Sequence, residues 1–259
     1  MIACYHTHTK RCHHAIGDDE QYVLRAIERG VKLIGFSDHA PMPYPDGYVS
    51  YYKMGENEIG EYFSTLLALR EKYADKIEIK IGFETEYYPD LWDACLKYWS
   101  DYPIDYLILG QHFLSGEGYI PNVKYSGYLT NDVSALSTYV DRVISAINTD
   151  KISYVAHPDL LNFEGDGEIY KREMTRLIKE ANRLEIPLEI NLLGLSEGRA
   201  YPRADFWTLA GELGARAVIG CDAHEPDRVA RESEILAAYD YAARYGVKVL
   251  EKVTLRPVL

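Results

Sequence analysis

Short apolar runs of strand length alternate with stretches of helical period along the whole chain, and this alternation limits the fold more than any other feature. Residues 2–6, 31–37, 77–83, 104–110, 152–156, 187–191 and 215–220 read as strands. Between them lie helical patterns: one through Tyr22, Val23, Ala26 and Ile27 closed by Gly30, then 56–73, 91–99, 132–148, 168–184, 205–213 and 227–245. A last apolar run, 247–253, reads as an edge strand. A strand followed by a helix returns to the same end of a sheet, so the strands run mostly parallel. No Pro/Ser/Gly-rich linker breaks the rhythm, which predicts one α/β domain over residues 1–259, either a barrel or a doubly wound sheet. Two long loops, 39–55 and 114–131, begin at carboxyl ends of strands, where α/β folds bind ligands.

Composition narrows the partners. With 47% hydrophobic residues, 259 residues can bury a sizeable core without disulfides. The four cysteines are far apart, with no CxxC pair, so a disulfide framework and a zinc ribbon are both unexpected. A net charge of −12 repels nucleic acid and anionic lipid, and the Lys10-Arg11 and Lys171-Arg172 pairs are too isolated to form a basic patch. No apolar run reaches the length of a membrane span, and Met1-Ile2-Ala3-Cys4-Tyr5 lacks the basic and apolar segments of a secretory signal. A cytoplasmic protein without nucleic-acid or membrane partners is the expectation. An anionic substrate would need a local source of positive charge, which bound divalent cations can supply.

The eight histidines are not scattered. His6 and His8 close the first strand one residue apart, so both rings leave an extended backbone on the same side and can reach one ion. His39, His112, His157 and the Asp222-Ala223-His224 triplet follow later strands, Gly82-Phe83-Glu84 ends another, and His14 lies in the first loop. Taken singly, each has a structural reading as a helix cap or a solvated ring. Together, in a parallel sheet, all nine groups converge on one face and suffice for two or three divalent ions, with Glu84 and Asp222 as natural bridges. The His-rich set with hard carboxylates suits Zn, Fe or Mn. His13 is left over as an exposed or supporting residue, and Cys12 reads as a bystander thiol.

These motifs resemble the polymerase-and-histidinol-phosphatase (PHP) domain family, and within it the histidinol-phosphatase subgroup. The resemblance rests on His6-Thr7-His8-Thr9, Cys12-His13-His14-Ala15, Ser37-Asp38-His39-Ala40-Pro41-Met42-Pro43, Gly82-Phe83-Glu84, Gly110-Gln111-His112, His157-Pro158-Asp159-Leu160 and Gly220-Cys221-Asp222-Ala223-His224. It implies a distorted, TIM-like (β/α)₇ barrel holding three metal ions. His6, His8, Glu84 and Asp222 would hold one ion, His14, His39 and His224 the second, and Glu84, His112 and His157 the third. It also implies a phosphate-binding cation. Leu161 and Asn162 stand where similar phosphatases tend to carry one basic residue, and Arg199 fills a second such position as a bidentate clamp.

The activity implied is hydrolysis of a small phosphate monoester, L-histidinol phosphate first, as a step of histidine biosynthesis. A hydroxide bridging two ions would attack phosphorus while the ions and Arg199 hold the other oxygens. Asp222, Asp38 or a metal-bound water could protonate the leaving alcohol; Asp38 could instead contact substrate or orient His39. The 23 tyrosines against 6 phenylalanines include Tyr44, Tyr48, Tyr51, Tyr52, Tyr119, Tyr125 and Tyr128 in the two long loops, as a substrate wall or a simple seal. The rivals are a phosphoesterase acting on nucleotides or oligonucleotide ends, and a non-catalytic metal-binding module.

Overall fold

The computed structural model describes residues 1–117 and 125–258. Its strands are β1 (Ala3–Cys4), β2 (Leu33–His39), β3 (Glu78–Thr85), β4 (Tyr106–Leu109), β5 (Ile152–Val155), β6 (Leu188–Asn191), β7 (Arg216–Gly220) and β8 (Lys248–Val249). They lie side by side in sequence order, every pair parallel. The doubly wound alternative is excluded because such sheets reverse their strand order and this one never does.

The sheet curls until the segments beyond β1 and β7 meet. Thr7 and Ala223 form a parallel bridge, and the His8 amide donates to the Ala223 carbonyl at 3.0 Å. Seven strands therefore surround one interior as a distorted (β/α)₇ barrel. The expected edge strand is present as β8, paired with the opposite end of β7 through Ala217 and Val249.

The crossovers are α1 (Asp19–Glu28), α2 (Ile59–Lys72), α3 (Pro89–Trp99), α4 (Val133–Ile147), α5 (Gly167–Arg183), α6 (Leu192–Glu197), α7 (Ala204–Glu212) and α8 (Glu232–Arg244). Helix α5 illustrates why they form. The Asp166 side chain caps the amides of Glu168 and Ile169, and Tyr170, Met174, Leu177, Ile178 and Ala181 bury one stripe. Helix α6 is absent from the sequence reading. The Asn191 side chain ends β6 and caps α6 by accepting from the Gly194 amide at 2.8 Å, so no break in hydrophobicity marks the change of period. Among the described residues no helix is long and apolar enough to cross a membrane.

Candidate metal centre

Strand register sets the height of each side chain at the open end of the barrel. His39 and Glu84 are direct partners across β2 and β3, so both face the interior at one level, and His39 Nδ1 lies 3.0 Å from Glu84 Oε2. Glu84 is the hub. Its Oε2 is 3.6 Å from Nε2 of both His6 and His8, while Oε1 is 2.8 Å from His157 Nε2 and 3.6 Å from His112 Nε2. A glycine makes room for it: a Cβ on Gly110 would stand 1.9 Å from Oε1. Asp222 Oδ1 closes one side, 3.6 Å from His6 Nε2, 3.2 Å from His8 Nε2 and 3.4 Å from His224 Nδ1.

The outer nitrogens decide what the inner ones can do. His6 Nδ1 faces Glu189 Oε1 at 2.7 Å, His8 Nδ1 faces Asp38 Oδ1 at 3.4 Å, and His14 Nδ1 faces the Cys12 carbonyl at 2.7 Å. His224 Nδ1 faces the Asp222 carbonyl at 3.1 Å. All these partners only accept, so Nδ1 carries the proton in each ring and a neutral ring presents a bare lone pair at Nε2. Yet His6 and His8 bring Nε2 to within 3.2 Å of each other, and His14 and His224 to within 3.0 Å. Neutral rings would aim lone pairs at lone pairs and carboxylates and repel, so a positive charge, either a proton or a metal cation, must stand among them.

The spacing fits one. Donors about 2.0–2.2 Å from a tetrahedral ion lie about 3.3–3.6 Å apart, close to the 3.2–3.6 Å separations among His6, His8, Glu84 and Asp222. Triplets able to hold an ion also form from His6, Glu84 and His157 and from His8, His39 and His224. Cys12 is within ligand reach of His14 and His224, a grouping the sequence reading set aside.

Electrostatics agree with this demand for positive charge. Burial opposes a charged His6, but Glu189, Asp222 and Glu84 outweigh it and hold its pKa well above the ordinary imidazole range. His8 follows, burial being overcome by hydrogen bonds with Asp222 and Asp38. Burial and the charge on His8 push His39 far down and His224 to about 3, leaving both rings neutral and able to ligate. Burial also opposes ionisation of Glu84, but His112, His6 and His39 hold its carboxyl well below the usual range. His157 and Asp222 reach the cluster through left-handed backbone, φ 29° and 49°, an unfavourable conformation for residues other than glycine.

Above the cluster opens a cavity of ≈ 720 Å³ lined by His14, His39, Glu84, His112, His157, Asp222 and His224. Arg199, Glu197, Lys53 and Tyr201 share its wall. Arg199 donates from Nε and Nη2 to Glu197 Oε2, at 3.0 and 2.8 Å, and from Nη1 to Tyr201 Oη at 3.0 Å. Tyr48, Tyr51, Tyr52, Tyr125 and Tyr128 form part of the rim, Tyr44 is buried, and Tyr119 lies outside the described residues. Burial pushes the Tyr125 phenol up to about 12.

Asp38 does not reach this wall. It is fully buried, accepts from the backbone amides of His39 and Thr9 at 2.8 and 3.2 Å, and backs the ring of His8. Alternation along β2 sends its side chain to the face opposite His39, so the ring it can orient is His8's and a direct substrate contact is closed to it. His13 is partly exposed, 3.4 Å from Glu58.

The sequence reading missed two supporting carboxylates. Glu189, fully buried on β6, holds His6 and accepts from the His157 amide at 3.0 Å. Glu86 accepts from the amides of His112 and Phe113 and pairs with buried Lys53 at 2.9 Å. The available signal for Glu189 was a charge in the middle of a short buried strand.

A model of the PHP domain matches residues 5–192. The chain belongs to the PHP domain family. Among PHP relatives, a Deinococcus radiodurans protein named a probable histidinol-phosphatase is 26% identical over 227 residues, 86% of each chain. A candidate histidinol phosphatase of Listeria monocytogenes superposes with a TM-score of 0.75 at 24% identity, over 90% of this chain and 99% of that one. The histidinol phosphate phosphatase of Lactococcus lactis, solved with Zn, L-histidinol and phosphate, gives 0.72 at 19% identity, over 96% and 95%. At these identities the two structures speak to the fold of a PHP domain.

Proposed function

We propose that this chain is a metal-dependent phosphoric monoester hydrolase that converts L-histidinol phosphate to L-histidinol and phosphate, in the cytoplasm, as a step of histidine biosynthesis. The observation that carries the reading is the convergence of nine histidine and carboxylate side chains beneath a cavity with an arginine in its wall. The names of the relatives support the choice of substrate.

His6, His8, Glu84 and Asp222 would hold one ion, His14, His39 and His224 a second, and Glu84, His112 and His157 a third, as Zn, Fe or Mn. Such ions supply positive charge for phosphoryl oxygens and lower the pKa of water to give a nucleophile at neutral pH. The protein's own groups do the rest. Glu189 and Asp38 fix the Nδ1–H tautomers of His6 and His8, and Glu84 stays ionised between the five rings it touches. Arg199 is braced by Glu197 and Tyr201 and keeps N–H groups for the phosphoryl oxygens. Asp222, whose Oδ2 accepts from Asn191 at 3.0 Å, borders the cavity where a leaving alcohol would take a proton.

The test is phosphate release from L-histidinol phosphate, an aryl phosphate and a mononucleotide, with and without prior chelation. Chelator-sensitive turnover favouring histidinol phosphate is expected. Turnover favouring the mononucleotide would move the assignment to a nucleotide phosphoesterase, and none with any substrate would leave a metal-binding module.

A further inference from the structure

Two phenols cover one half of the histidine cluster. The Tyr201 ring packs 5.5 Å from that of His157, and the Tyr125 ring stacks 6.2 Å from that of His112. These two histidines share a single oxygen of Glu84. Tyr201 is only 4% exposed, and helix α6 is shaped to admit it: a Cβ on Gly194 would stand 2.6 Å from its ring carbons. Its hydroxyl accepts from Arg199 at 3.0 Å.

Counting protons shows what this group can do. Two phenols carry two O–H protons, and Tyr201 Oη serves Arg199 only as an acceptor, so neither proton is used there. Arg199 carries five N–H, of which Glu197 takes two and Tyr201 one, so two remain, one on each terminal nitrogen. All three side chains line the cavity, so two O–H and a pair of N–H groups are left for a ligand that only accepts. The segment after His157 offers no such donor from a cation, since Leu161 is buried at 1% exposure and Asn162 is neutral.

We infer that Tyr125 and Tyr201, together with Arg199, form a cradle for a tetrahedral oxyanion over the His112 and His157 side of the cluster, with a phenol O–H standing in for a second basic residue. The identity of the anion as a phosphoryl group rests on the phosphatase reading. The cradle itself rests on the placement of the three side chains.

The test is calorimetric titration of orthophosphate into the metal-loaded protein for wild type, Tyr125→Phe, Tyr201→Phe and the double variant, with metal content and thermal melting measured on each. Each single variant is expected to bind orthophosphate about 3- to 10-fold more weakly, the size of one hydrogen bond, with metal content unchanged and KM rising more than kcat falls. A double variant that binds within twofold of wild type overturns the inference. Loss of metal in either single variant also overturns it, because the rings would then merely support the histidines. Weakened orthophosphate binding in a protein that hydrolyses no monoester would uphold the cradle while removing the phosphatase reading.

Discussion

The two ends of the barrel interior are built on opposite principles. At the closed end Tyr5, Tyr106 and Tyr154 pack edge to face with Ala3, Leu33, Ile108 and Val218. Their hydroxyls find internal partners: Tyr106 donates to the Tyr5 carbonyl at 2.6 Å, and the Tyr5 hydroxyl accepts from the Val253 amide at 3.3 Å. At the open end imidazole lone pairs face one another, and His157 and Asp222 occupy left-handed backbone. One layer is satisfied by the chain alone, whereas the other is complete only with something the chain does not contain. Stability is thus concentrated at one end and chemistry at the other, the usual division in barrels of this kind.

Substitutions at the open end should therefore cost function with little loss of fold, and those at the closed end the reverse. The largest effect is expected for Glu84→Gln, which keeps the shape but removes the charge shared by five histidines; turnover should fall by about 10³-fold while the chain still folds and unfolds cooperatively. Full turnover with unchanged metal content would break the assignment of Glu84 as the hub. Next, Glu189→Gln should lower metal affinity about 10- to 100-fold by loosening His6, as measured by competition with a chelating dye. Arg199→Ala should reduce kcat/KM for phosphate monoesters about 10-fold at intact metal content; an unchanged value would make it a loop arginine paired with Glu197.

At the other end, Tyr106→Phe should cost about 1 kcal/mol in denaturant unfolding and leave turnover unaltered. The smallest effect belongs to the outer surface. Arg183 and Asn148 hold the Glu180 carboxyl down to about 2. A depressed carboxylate contributes stability above the unfolded pKa, about 4.5, and loses it as pH falls through the folded value. Glu180→Gln should then cost about 0.5 kcal/mol at pH 7, discounted for solvent screening, and converge with wild type near pH 2.

The sequence exposes the fold and the candidate ligands because both are periodic. Strand and helix alternate, and His6, His8, His39, Glu84, His112, His157, Asp222 and His224 recur where strands end. What escaped depends on relations between distant elements. Glu189 is a support only because β6 lies beside β7 and the ring of His6 comes within reach. Tyr201 meets His157 only through the close packing permitted by Gly194, and Asn191 hides the start of α6 by ending a strand and capping a helix with one side chain. The direction of Asp38 is a case where strand alternation was available and outweighed by its adjacency to His39 in the chain.

The central claim is that the open end is completed by cations, and elemental analysis of the purified protein tests it most directly. Two to three equivalents of Zn, Fe or Mn per chain are expected, lost on dialysis against a strong chelator together with a fall in melting temperature and restored on adding metal back. A chain that carries less than a tenth of an equivalent, takes up none on titration and melts at the same temperature with or without chelator would contradict it.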